Sequence, residues 1–102
     1  MDTGITLNPE RRAAMIESGA WNDTLITDYL DQAVASNPDR EAIVSYRVTG
    51  DTRTALTYRE LNDTVTRMAA GLAAMGIGKG DVVACQLPNW WQTTSLHLAC
   101  MR

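Results

Sequence analysis

No apolar run in this 102-residue sequence approaches the roughly 20 consecutive residues that cross a bilayer as a helix. The opening Met1-Asp2-Thr3-Gly4-Ile5 has neither the basic flank nor the apolar core of a signal peptide. Cysteine is sparse. Cys85 and Cys100 stand fifteen residues apart, without metal-ligand spacing and without a histidine cluster to complete a site. Both lie in apolar stretches and are expected to be buried thiols in a reducing compartment. Basic residues form no stripe: Arg40, Arg47, Arg53, Arg59, Arg67 and Lys79 are scattered singly, and the net charge is −3. That balance argues against nucleic-acid and anionic-membrane partners. Apolar residues at 45% and charged residues at 21% belong to a packed chain rather than a disordered one. The expectation is a soluble cytoplasmic protein.

Chemistry-bearing constellations are also scarce. His97 is the only histidine, and without a paired nucleophile or carboxylate it is expected to be structural or exposed. No serine sits in a Gly-x-Ser-x-Gly setting. The segment Gly76-Ile77-Gly78-Lys79-Gly80-Asp81 hints at a phosphate loop, but Ala73 and Gly80 stand where that motif needs Gly and Ser or Thr. It also follows a helix and enters a strand, so no helix N-terminus would face a phosphate. A plain helix-to-strand connector is expected.

What is present is alternation of helix and strand. Asn8-Pro9-Glu10 predicts a helix to about Glu17, ended by Ser18-Gly19, whose Ala14, Met15 and Ile16 must dock elsewhere. A second helix is predicted over Asp28–Ser36, capped by Thr27, with Leu30, Ala33 and Val34 on one face and a break at Asn37-Pro38-Asp39. Ala42–Val48 and Ala55–Tyr58, joined through Thr49-Gly50-Asp51, predict an edge hairpin. Thr57 and Glu60 form a capping box ahead of a long helix with the stripe Tyr58, Leu61, Val65, Met68, Leu72 and Met75. Asp63 and Arg67 lie at pairing distance on the opposite face, and Gly71 suggests close approach of another backbone. Gly76 ends that helix.

Val82–Leu87 then predicts a strand buried on both faces of a parallel sheet, followed by a helix from Trp90 to about Met101 capped by Asn89. A crossover helix implies a further strand, so the expectation is a chain cut within a repeating β-α pattern. Pro88-Asn89-Trp90-Trp91 falls at the carboxyl end of that strand, where open α/β sheets place ligands. Trp90 and Trp91 are candidates either for packing or for lining a ligand pocket.

Five segments then fall in a familiar order and spacing: Asp39–Val44, Leu56–Asn62, Gly71-Leu72, Gly76–Val83 and Leu87-Pro88-Asn89. In these the chain resembles the adenylate-forming superfamily over about Thr24–Cys100, and the Leu-Pro-Asn-Trp-Trp ending looks most like medium-chain and cyclohexanecarboxylate–CoA ligases. The resemblance implies an AMP-forming acyl-CoA synthetase using ATP, Mg2+ and CoA on a small carboxylic acid. Residues 1–23 would be a helix and lead-in, and 24–102 the incomplete start of a large AMP-binding domain. The implied fold class is α/β: an N-terminal β-hairpin plus the first β-α units of a larger layered domain, partnered by the remainder of its own chain. The family's phosphate loop, ribose-binding acid, hinge and catalytic lysine come after the matched region. No catalytic, cofactor-binding or metal residue is therefore assigned within 1–102. Two other readings stand beside this one, a self-contained non-enzymatic α/β interaction module and a fragment of an amino-acid adenylation domain.

Overall fold

The computed structural model describes residues 8–102; the lead-in Met1–Ile5 lies outside them. Four helices and one two-stranded antiparallel sheet follow in the order α1 (Pro9–Glu17), α2 (Ile26–Ser36), β1 (Glu41–Arg47), β2 (Thr52–Thr57), α3 (Tyr58–Ala74) and α4 (Trp91–Met101). This is an α/β segment with the hairpin ahead of the long helix.

Local chemistry accounts for most boundaries. The Arg11 amide donates to Oδ1 of Asn8 at 3.0 Å, so Asn8 caps α1, and Pro9 fills the first helical position, where its missing N–H costs nothing. The hairpin turns at Gly50 and Asp51, both with positive φ, and pairs Val44 with Ala55 and Tyr46 with Arg53. The register slips once between Glu41 and Ile43, which lets Thr57 face Glu41 as β2 turns directly into α3. At the other end of α3, the Gly76 amide donates to the Ala73 carbonyl and the Ile77 amide to the Leu72 carbonyl. That paired closure needs a left-handed residue, and Gly76 supplies it with φ of 85°.

Packing centres on α3. Leu61 and Val65, at 4% and 0% exposure, meet Leu30 of α2 and Ala99 of α4. Tyr58, Met68 and Leu72 are half-buried around them, so the predicted stripe faces the core over most of its length. Met75 leaves it at 70% exposure, because it already caps the helix beyond the packed turns.

Several expectations are corrected. Val82–Leu87 belongs to no ladder, since among the described residues nothing exchanges backbone hydrogen bonds with it. An apolar run becomes a strand only when another strand accepts its backbone groups. Gly71 meets no close backbone; a Cβ there would find no atom within 4 Å. Helix α1 buries none of its residues, its local caps holding it instead. Helix α2 starts two residues earlier than predicted: the Leu25 amide donates to Oδ2 of Asp28 at 2.8 Å, and Thr27 is buried rather than capping. Asp63 and Arg67 form no ion pair among the described residues, while Arg59 reaches Asp39 at 3.2 Å.

The chain leaves 8002 Å² accessible, against roughly 5,700 Å² for a compact protein of 11.2 kDa. Among the described residues the core of four, Leu30, Leu61, Val65 and Ala99, is small for the apolar surface available, and Trp21, Ile26, Val82 and Leu87 remain exposed.

Candidate functional site

The loop after α3 tests the phosphate reading directly. The Gly78 amide donates to Oδ2 of Asp81 at 2.8 Å, and the Asp81 amide donates back to the Gly78 carbonyl at 3.1 Å. The loop thus closes on itself and carries a carboxylate at the position a phosphate would occupy. It opens into Val82–Leu87, not into a helix. These residues do not fit a nucleotide phosphate. The loop forms one wall of an open groove of about 850 Å³, whose other walls are Ala69 and Ala73 of α3 and Cys100 of α4.

The Pro88–Trp91 patch is the other place where the sequence pointed. The Asn89 side chain does not cap α4; Trp90 is the residue before the helix, and Oγ1 of Thr93 donates to the Pro88 carbonyl at 2.6 Å. This hydroxyl ties the incoming chain to the first turn, which leaves Asn89 exposed. Both tryptophans are half-buried against β1, beside Ile43, Ser45 and Tyr46. The Arg47 guanidinium stands 4.7 Å from the centre of the Trp90 ring, within range for a cation–π contact. Sequence reasoning missed this pair, because Arg47 and Trp90 are 43 positions apart and only the hairpin brings the strand end to α4.

Behind the patch, Ser95 is fully buried and its hydroxyl donates to the Trp91 carbonyl at 2.9 Å, which satisfies a polar group inside the core. His97 is exposed on α4. The cysteines are exposed rather than buried: Cys85 lies in the unpaired segment, and Cys100 faces away while its neighbour Ala99 enters the core. At the end of α4, Arg102 donates to Oδ1 of Asp31 at 2.7 Å and to Oγ1 of Thr66 at 3.1 Å, joining α4 to α2 and α3. On the hairpin, hydrogen bonds from Arg53 to both Glu41 oxygens raise the guanidinium pKa further above its ordinary value. All of these contacts are packing, capping and cross-bracing contacts. Among the described residues, no three His, Cys, Asp or Glu side chains converge as metal ligands would.

Against known proteins, residues 30–102 match the family described as AMP-binding enzyme. The chain belongs to that family. Over its full length it is 34% identical to a medium-chain fatty-acid–CoA ligase of Escherichia coli, of which it spans 17%. It is 38% identical over 84% of its length to a Streptomyces salicylyl-CoA synthase/salicylate adenylyltransferase, spanning 14% of that protein. An acetyl-coenzyme A synthetase of Streptomyces coelicolor is 44% identical over 67% of the chain, which spans 10% of it.

In this member of the AMP-binding enzyme family the five resembling stretches fall mainly at junctions. Asp39–Val44 leads into β1, Leu56–Asn62 is the β2-to-α3 turn, Gly76–Val83 is the loop after α3, and Leu87–Asn89 precedes α4. These stretches are thus largely caps and turns. No helix of the described residues is long and apolar enough to cross a membrane.

Proposed function

We propose that this chain is the scaffold-forming N-terminal segment of an ATP-dependent carboxylic acid–CoA ligase. The observation that carries the reading is the match, over all of this chain and 17% of the relative, to a medium-chain fatty-acid–CoA ligase, in a set of relatives whose names all join or adenylate carboxylic acids. Residues 24–102 open the large AMP-binding domain, which the remainder of the chain completes. The phosphate loop, the acid pocket and the catalytic residues lie outside residues 1–102, and the segment alone is inactive. The intact protein is cytoplasmic and has no nucleic-acid or membrane partner, in keeping with the net charge of −3 that residues 1–102 carry.

The reaction proposed for the intact protein has two steps. A carboxylate oxygen attacks the α-phosphorus of Mg·ATP, giving an acyl-adenylate and releasing pyrophosphate. The CoA thiol then attacks the acyl carbon, its proton leaves, and AMP departs. Adenylation is the useful chemistry here, because a free carboxylate oxygen is a poor leaving group and AMP is a good one. The Trp-rich stretch Leu87–Trp91 supports a small, largely apolar acid through its likeness to medium-chain and carbocyclic acid ligases.

The test is to supply the intact protein with medium-chain, cyclic and aromatic acids, ATP and CoA, and to resolve the nucleotides by chromatography. AMP and acid-dependent pyrophosphate are expected; ADP, or no acid-dependent pyrophosphate with any acid, overturns the reading. The reading frame gives an independent check. A stop directly after Arg102 favours a non-enzymatic α/β module, and a Gly-rich loop ending in lysine favours the ligase.

A further inference from the structure

A cavity of about 360 Å³ lies between β1 and the start of α4, with walls from Ile43, Ser45, Trp90, Trp91 and Thr94. Both walls are anchored on the core, β1 through Ile43 and α4 through Ala99. Three groups there suit a negative charge. Ser45 lines the cavity at 8% exposure, and among the described residues its hydroxyl has no hydrogen-bond partner. A buried hydroxyl is normally paired, because burial strips its water. The second group is the N-terminus of α4. No side chain caps it, and the amides of Trp91 and Gln92 meet no acceptor among the described residues. These amides carry the positive end of the helix dipole. The third is the Arg47 guanidinium, which lies over the ring of the wall residue Trp90 and enters no ion pair among the described residues. No Asp or Glu lines the cavity.

From this we infer that the cavity between β1 and α4 binds a small, singly charged carboxylate, whose oxygens accept from the Ser45 hydroxyl, the free amides of α4 and Arg47. The inference does not rest on the ligase reading. The charge of the ligand follows from the groups present. One guanidinium balances one negative charge and matches the planar fork of a carboxylate, whereas a doubly charged phosphate would keep a charge unmatched. Its body follows from the space. A single water occupies about 30 Å³, so a carboxylate group alone leaves most of the cavity unfilled. The Ile43 side chain and the Trp91 ring bound the remainder, which favours an acid with a short apolar body over acetate.

The test follows the backbone amide signals of the nitrogen-15-labelled, full 102-residue chain by NMR, in reductant because Cys85 and Cys100 are exposed. Butyrate, acetate, phosphate and chloride are titrated at constant ionic strength. Butyrate is expected to move the Trp91 and Gln92 amides saturably at millimolar concentration, with acetate and phosphate binding more weakly and chloride without saturable effect. Arg47→Ala is expected to weaken butyrate about tenfold, through loss of a charge-assisted contact, while Arg47→Lys loses less. Ser45→Ala removes only a hydroxyl without a partner, so the amide spectrum of α1 to α3 should be kept while butyrate binding falls severalfold. Should Arg47→Ala fail to fold, the Ser45 variant carries the test. The absence of a saturable butyrate response at Trp91 and Gln92 overturns the inference. So does an equal response to chloride, tighter binding of phosphate than of butyrate, or a butyrate affinity unchanged in the folded Ser45 and Arg47 variants.

Discussion

The amide of Glu60 donates to Oγ1 of Thr57 at 3.2 Å while the amide of Thr57 donates to Oε2 of Glu60 at 2.8 Å. Thr57 is also the last residue of β2, so this reciprocal pair welds the hairpin to the helix that carries the core. Thr57→Ala leaves the Glu60 amide without its partner and is expected to lower stability by about 1 kcal/mol. Thr57→Ser keeps the hydroxyl and should stay close to the parent. Urea midpoints at constant slope measure both. An alanine variant as stable as the serine variant would show that the cap is redundant.

The burial of α3 gives a sharper contrast. Leu61 is 4% exposed in the core, whereas Arg59 sits on the surface and pairs with Asp39. Leu61→Ala is expected to cost about 2–5 kcal/mol through lost burial and the cavity left behind. Arg59→Ala should cost less than about 1 kcal/mol, because an exposed ion pair competes with water. Leu72→Ala should fall between them, since Leu72 is half-buried. Denaturant unfolding of the three variants orders them, and equal losses at Leu61 and Arg59 would mean the stripe does not face the core.

The legible parts of this fold were those decided by neighbours in sequence. Asn8 before Pro9, Thr57 three residues before Glu60, and Gly76 after the last turn of α3 each act through short-range backbone hydrogen bonds. The stretches on which the resemblance was read lie largely at such junctions. What the sequence did not disclose depends on distant partners. Val82–Leu87 has strand composition, but composition cannot supply a neighbour. Cys100 follows the core residue Ala99, and a rotation of about 100° per residue puts it outside. The patch at Trp90 was anticipated as aromatic surface, yet its companion Arg47 came from the end of β1.

That companion makes a prediction of its own. The exposed Arg47 lies over the half-buried Trp90 ring at 4.7 Å, so the contact should be worth about 0.5–1 kcal/mol. With Trp21 and Trp91 replaced by Phe, the emission of Trp90 reports it alone. Arg47→Ala is expected to lower stability by that amount and to shift the emission, while Arg47→Lys keeps part of both effects. An unchanged spectrum in Arg47→Ala would show that the guanidinium does not rest on the ring.

The last prediction concerns nucleotide. The Gly78 amide, the group a phosphate would seek in this loop, already donates to Oδ2 of Asp81 at 2.8 Å. An incoming phosphate would have to break that charge-assisted bond and then sit beside the displaced carboxylate. Two like charges 4 Å apart repel by about 1 kcal/mol in bulk water and about 4 kcal/mol near a protein surface. Micromolar affinity needs about 8 kcal/mol of net attraction, and the loop has no following helix whose N-terminus could contribute. The 102-residue chain is therefore expected to show no saturable heat with Mg·ATP in isothermal titration. Asp81→Ala frees the amide and removes the charge, yet the loop still opens into Val82–Leu87, so it too should stay silent. Micromolar binding by the parent chain, lost on altering residues 78–81, would place a phosphate site in this loop after all. Binding gained only in Asp81→Ala would mean that the carboxylate, and not the topology, is what keeps phosphate out.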